Sequence, residues 1–173
     1  MAAGEAGWSN CRRFAVLTLI VGSAKLGSME DQPPPDSAVT PYPLALIICD
    51  QIYREPTTGK PSLLGCFSVI NATKFPATQP LITVYAAITD GRGRVQVKLR
   101  LVDVDEEREP VFEVTSEVEF TDPRSVQEMI CALAGMTFPE PGEYRLQLLA
   151  NDEPILERRI VLNEIGDEGE SDD

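Results

Sequence analysis

The segment Phe138–Leu162, FPEPGEYRLQLLANDEPILERRIVL, constrains the fold more than any other part of the chain. It enters through a Pro-Gly corner, places a tyrosine at the head of an alternating run, and turns at Asn151-Asp152. Tyr144, Leu146 and Leu148 alternate with Arg145 and Gln147, the period of a strand with one covered face. Asn and Asp tolerate the backbone of a tight turn. The segment therefore reads as a closing hairpin of two strands, 143–150 and 155–162. A tyrosine just inside a strand after such a corner occupies the place of the tyrosine corner in Greek-key sandwiches, where its hydroxyl bonds to nearby backbone. An ordinary core tyrosine is an equally good reading of Tyr144.

Six more strand candidates precede this hairpin. Residues 44–53 (LALIICDQIY) begin apolar on both faces, Pro56–Pro61 is a turn cluster, and 63–70 (LLGCFSVI) follows as the second strand. Residues 81–88 are rich in β-branched side chains, and Asp90-Gly91 after them is a hairpin signal. In 95–102 the odd positions Val95, Val97, Leu99 and Leu101 are apolar; in 111–120 the even positions Phe112, Val114, Val118 and Phe120 are. Both have period two, hence one wet face each, basic on the first and acidic on the second. A hairpin closing over Asp103–Glu109 would put Leu101 opposite Phe112, Arg100 opposite Glu113 and Arg94 opposite Glu119. Residues 126–137 carry two signals. Ser125 and Glu128 have capping-box spacing, and Val126, Met129, Ile130 and Leu133 fit a helical stripe. The flanking elements are all strands, however, and the segment runs straight into the Pro-Gly corner, so it is read as a strand. Eight short strands separated by turn signals predict an all-β fold, an immunoglobulin-like antiparallel β-sandwich of about 7–8 strands.

Charge narrows the partners. The chain of 173 residues has 15 basic and 28 acidic side chains and a formal charge of −13. That argues against nucleic acid and anionic membrane surfaces, which need basic patches. Six acids and no base fall in 164–173, so residues 163–173 read as a disordered acidic tail. Docking of a basic partner is the competing reading of that tail. There is no histidine, which removes the commonest general base, zinc ligand and triad member.

Residues 1–28 differ from the rest. Arg12 and Arg13 precede an apolar run to Val21 and then Gly22, Ser23 and Ala24, the layout of a signal peptide over residues 1–24. The run is shorter than the roughly 20 residues that span a bilayer. An upstream extension outside the working protein, with Met29 as the start, is the favoured reading. Residues 29–42 form a Pro-rich linker, including Pro33-Pro34-Pro35. The sandwich domain then occupies 43–162. This favours a cytoplasmic protein, or an exported one if the leader is a true signal.

No catalytic, cofactor-binding or metal-binding residue is expected. Cys11 lies in the leader, and Cys49, Cys66 and Cys131 sit in apolar strands, where buried thiols act as small hydrophobes. A first hairpin centred on Thr57-Thr58 would place Cys49 opposite Cys66, within reach of a cross-strand disulfide. No C-x-x-C occurs. The acids Asp103, Asp105, Glu106, Glu107 and Glu109 lack the glycine and spacing of a calcium loop and read as a solvated turn. Thr58-Gly59-Lys60-Pro61-Ser62 lacks the early glycine of a phosphate loop and has proline after the lysine. Asn71-Ala72-Thr73 is a glycosylation sequon only in a secreted eukaryotic protein.

The succession Cys49-Asp50, Thr58-Gly59-Lys60, Leu63-Leu64-Gly65-Cys66-Phe67, Phe75-Pro76 and Phe138-Pro139-Glu140-Pro141-Gly142-Glu143-Tyr144-Arg145 resembles a family of uncharacterised bacterial β-sandwich proteins, a domain of unknown function. The likeness covers about 43–162. It implies a small bacterial protein and supplies no catalytic residues. The expected function is a non-enzymatic protein-binding or scaffold module. The partner is a protein met through the loops Arg54–Pro61, Ile70–Pro80 or Asp103–Pro110, or a second copy met along an edge strand. The alternative is an exported sandwich binding carbohydrate or a cell-surface ligand. Aromatic residues make up 6% and the single tryptophan, Trp8, lies in the leader, which weakens that alternative.

Overall fold

The computed structural model describes residues 38–105 and 108–166, and residues 15–22 as backbone. Its strands are β1 (Ala15–Gly22), β2 (Tyr42–Arg54), β3 (Pro61–Cys66), β4 (Val69–Ala72), β5 (Ala77–Thr89), β6 (Gly93–Asp103), β7 (Phe112–Phe120), β8 (Gln127–Phe138), β9 (Gly142–Ala150) and β10 (Glu153–Glu164). No helix occurs among the described residues. The strands form two five-stranded sheets, ordered β1-β8-β5-β2-β3 and β4-β10-β9-β6-β7. Their facing sides share one core, with Leu46, Ile48, Val84 and Leu133 from the first sheet and Val97, Leu101, Leu146 and Leu148 from the second.

Much of this follows from period two. The register of β6 and β7 runs from Gly93↔Phe120 to Leu101↔Phe112, with Arg100 opposite Glu113 and Arg94 opposite Glu119. The apolar residues of both strands face inward. Residues 127–138 are a strand, so the helical stripe loses to pairing with β5 on one side and β1 on the other. The closing hairpin turns on Asn151 and Asp152, both at positive φ (50° and 66°), as a two-residue turn of the kind that fits strand twist requires. Tyr144 is buried and its hydroxyl donates to the Glu140 carbonyl at 2.9 Å, the tyrosine-corner bond.

Three expectations need correction. The described residues form ten strands, against the expected 7–8 or so. One reason is that residues 63–70 break into two strands in opposite sheets. Phe67 N donates to Ile48 O of the first sheet, while the next residue accepts at Ser68 O from Val161 N of the second. Arg158 holds that switch: it sits at an inward position of β10, opposite Leu146, and donates to Phe67 O at 3.0 Å, Ser68 Oγ at 2.9 Å and Leu46 O at 3.3 Å. The other reason is that Ala15–Gly22, within the leader-like segment, pairs antiparallel with β8. The remaining leader residues, the linker before Ala38 and the tail after Gly166 lie outside the described residues. Second, Asp90-Gly91 does not make a hairpin. β5 and β6 lie in different sheets, and Asp90, at φ 59°, turns the chain across the sandwich while its N–H donates to Pro123 O at 2.8 Å. Gly91 is required there because a Cβ would lie 2.5 Å from the Phe120 ring. Third, Cys66 is exposed; Cys49 and Cys131 are buried as expected.

The first hairpin departs most from a flat sheet. Ala45 pairs with Ala87, which pairs with Glu128, so all three share one rung. Arg54 lies nine residues beyond Ala45, about 30 Å along a straight strand. Yet Arg54 Nη2 is 2.9 Å from Glu128 Oε2. The distal half of β2 must therefore fold back over the outer side of its own sheet, carrying β3 with it. The bend is at Cys49, the last rung shared with β5 and the first shared with β3. Thr83 Oγ1 donates to Asp50 O at 3.2 Å there. Gly65, at φ 64°, lets Asp50 lie directly on its Cα.

Candidate functional site

One loop expected to meet a partner converges with the Pro-Gly corner, which the sequence marked as a feature of the fold alone. The loop after β6 and the Pro-Gly corner before β9 meet at one end of the second sheet, because Asp103 and Tyr144 are the last rung between those strands. Val104 N donates to Glu143 O at 3.1 Å, extending the pairing into the loop. Together they line a groove of about 230 Å³ with Asp103, Asp105, Glu140, Glu143, Tyr144 and Arg108 among its walls. Four acidic residues and Arg108 thus line it.

Arg108 joins the two walls, its Nη1 2.7 Å from Glu140 Oε1 and its Nε 3.7 Å from Asp103 Oδ2. Glu143 is held from the outer face by Arg159 Nε at 3.0 Å and Arg145 Nε at 3.8 Å. Asp103 Oδ1 is buried and has no hydrogen-bond partner. The floor is rigid: Tyr144 stacks edge-on against Phe138 with ring centroids 5.3 Å apart, and burial pushes its hydroxyl pKa up. An acidic, polar concavity on a fixed floor suits a cationic ligand group, a lysine or arginine above all. Among the described residues no group of three or more histidine, cysteine, aspartate or glutamate side chains is arranged to hold a metal ion. Glu106 and Glu107 of the cluster lie outside the described residues.

The other two candidate loops make hydrogen bonds within the fold. Arg54–Pro61 is the tip of the folded-back arm. Arg54 Nη1 donates to Gly59 O at 2.7 Å, and Glu55 accepts from the N–H groups of Thr57 and Thr58. Hydrogen bonds from the Thr58 side chain, and from the backbone of Thr57 and Thr58, lower the Glu55 carboxyl to about 2. The tip is a self-satisfied turn, unlike a phosphate loop. In 70–80, Asn71 is engaged by Asn163 Nδ2 at 3.2 Å across the parallel β4–β10 pair.

The latch that holds the arm was not visible in the sequence. Glu128 Oε1 accepts from the Tyr85 hydroxyl at 2.7 Å while Oε2 takes Arg54. Desolvation, then the bond to Glu128, pushes the Tyr85 pKa to about 12. Tyr85 and Glu128 face away from the core because Val84, Ala86 and Met129 face into it. That outward placement was readable, but a partner 74 residues away was not.

The outer face of the second sheet is a charged lattice, with Lys98 on Asp152 at 2.7 Å and Arg100 Nε on Gln147 Oε1 at 2.7 Å. Arg94 pairs diagonally with Glu117 at 3.8 Å instead of with Glu119 directly opposite. No helix among the described residues is long and apolar enough to cross a membrane.

Residues 44–163 match the model of a family of unknown function (DUF6941). No curated protein matches the chain.

Proposed function

The chain belongs to this family of unknown function, and on that premise we propose that it is a non-enzymatic, cytoplasmic protein-binding module whose groove takes a basic segment of a partner protein. The observation that carries the reading is the meeting of Asp103, Asp105 and Arg108 with the Pro-Gly corner in one groove lined by four acidic residues and Arg108, with one buried carboxylate oxygen of Asp103 unmatched. The overall charge of −13 supports it, since it raises the encounter rate with basic partners. We read the sandwich as immunoglobulin-like, a reading supported by the Tyr144 corner bond. On such scaffolds loops at one end commonly carry binding.

The test is capture from a cell lysate with full-length protein and with protein lacking 163–173, followed by titration of the captured partner's basic peptide. Binding that survives loss of the tail, weakens as salt rises and falls about tenfold or more with Glu143→Lys supports the reading. Recovery of no partner by either form removes it. Turnover in a broad ester and glycoside screen would replace it with an enzyme. Retention on glycans in place of proteins would favour the exported, carbohydrate-binding alternative.

A further inference from the structure

Cys49 and Cys66 face each other on one rung of the β2–β3 pair. The bond from Phe67 N to Ile48 O makes the neighbouring rung a hydrogen-bonded one, so the cysteine rung is of the non-hydrogen-bonded kind. Opposed residues on such rungs have Cα atoms about 4.5 Å apart. Disulfides span Cα separations of about 4.4–6.8 Å. The two thiols are unequal: Cys66 is exposed, whereas Cys49 is fully buried with its Sγ 3.6 Å from Thr83 O. Cys131 is on the core side of the sheet, so it cannot compete for Cys49 on the other side.

We propose that Cys49 and Cys66 are a reversible dithiol switch, closed by exchange with a low-molecular-weight disulfide such as oxidised glutathione and opened by its thiol. The exposed Cys66 thiolate attacks one sulfur of the small disulfide, breaking its S–S bond and releasing one small thiol. Cys49 then gives up its proton to water and attacks Cys66 Sγ, expelling the second small thiol. Two protein thiols are oxidised and one small disulfide is reduced to two thiols. The order follows from access, and burial raises the Cys49 thiol pKa, which disfavours it as the first attacking thiolate. In a reducing compartment such a bond is transient and sensing. Its location gives it a consequence: Cys49 is where β2 leaves β5, so the bond clamps the base of the folded-back arm.

Full-length protein titrated with oxidised glutathione and mapped by mass spectrometry without reduction tests this. The expected product is a monomer in which the Cys49 and Cys66 peptides are joined, reversed by excess dithiothreitol. Cys49→Ala should instead accumulate glutathione on Cys66, and Cys66→Ala should leave Cys49 unmodified. A wild-type product that stops at glutathionylated Cys66, links Cys66 to Cys11, or joins two chains through Cys66 would overturn the proposal. The wild-type map decides even if a variant fails to fold.

Discussion

The two hairpins β6–β7 and β2–β3 are built alike and end differently. Each is an antiparallel pair beginning beside a central strand of its sheet. The pairing of β6 with β7 runs unbroken over nine rungs, and β6 stays bound on its other side to β9 over seven. The β2–β3 pair has β5 beside it only as far as Cys49, and beyond that the ribbon folds back until Arg54 meets Glu128 and Tyr85. A third strand keeps a hairpin flat. Without one, the ribbon is free to bend, and a few polar contacts decide where it lies. The flat hairpin should therefore fail only when the whole domain fails, and the arm should be able to fail alone.

The largest effect expected is from Phe112→Ala. Phe112 is 5% exposed in the common core, and its loss should cost about 3–5 kcal/mol in equilibrium denaturation, in one cooperative transition. A separate early transition of β6–β7 would break the comparison. Glu128→Ala comes next. It leaves Arg54 and the Tyr85 hydroxyl without their partner and should cost about 1–3 kcal/mol, released locally. Tryptic cleavage after Arg54 should quicken while core amide exchange is unchanged.

Tyr85→Phe sharpens the same point through pH. The folded pKa of Tyr85, about 12, lies above its ordinary value of 10.0. The hydroxyl's contribution is therefore complete below pH 10 and is lost as pH rises through about 12. Wild-type arm protection should decline across that window, and the variant should lack that step. The smallest effect is expected from Arg94→Ala. Its pair with Glu117 is exposed and long at 3.8 Å, so thermal unfolding should register less than about 1 kcal/mol.

The acidic groove was half legible. Asp103–Pro110 and the Phe138–Tyr144 corner each stood out in the sequence, the first by charge and the second by its turn chemistry. That they form one site depends on β6 pairing with β9, a long-range choice between sheets. The same limit explains Asp90-Gly91, whose dipeptide announces a turn but not which sheet the chain enters next.

What the sequence alone determined is strand identity and local register. Period two placed Leu101 opposite Phe112, and a turn centred on Thr57-Thr58 placed Cys49 opposite Cys66. These are settled by neighbours a few residues apart and by which side chains avoid water. Only the tertiary structure decided that residues 63–70 split between sheets, that the β2–β3 arm folds over its own sheet, and that Arg158 turns inward to carbonyls of the switch. Those outcomes depend on polar groups finding partners far along the chain, where many pairings satisfy the same local pattern and only the assembled fold selects one.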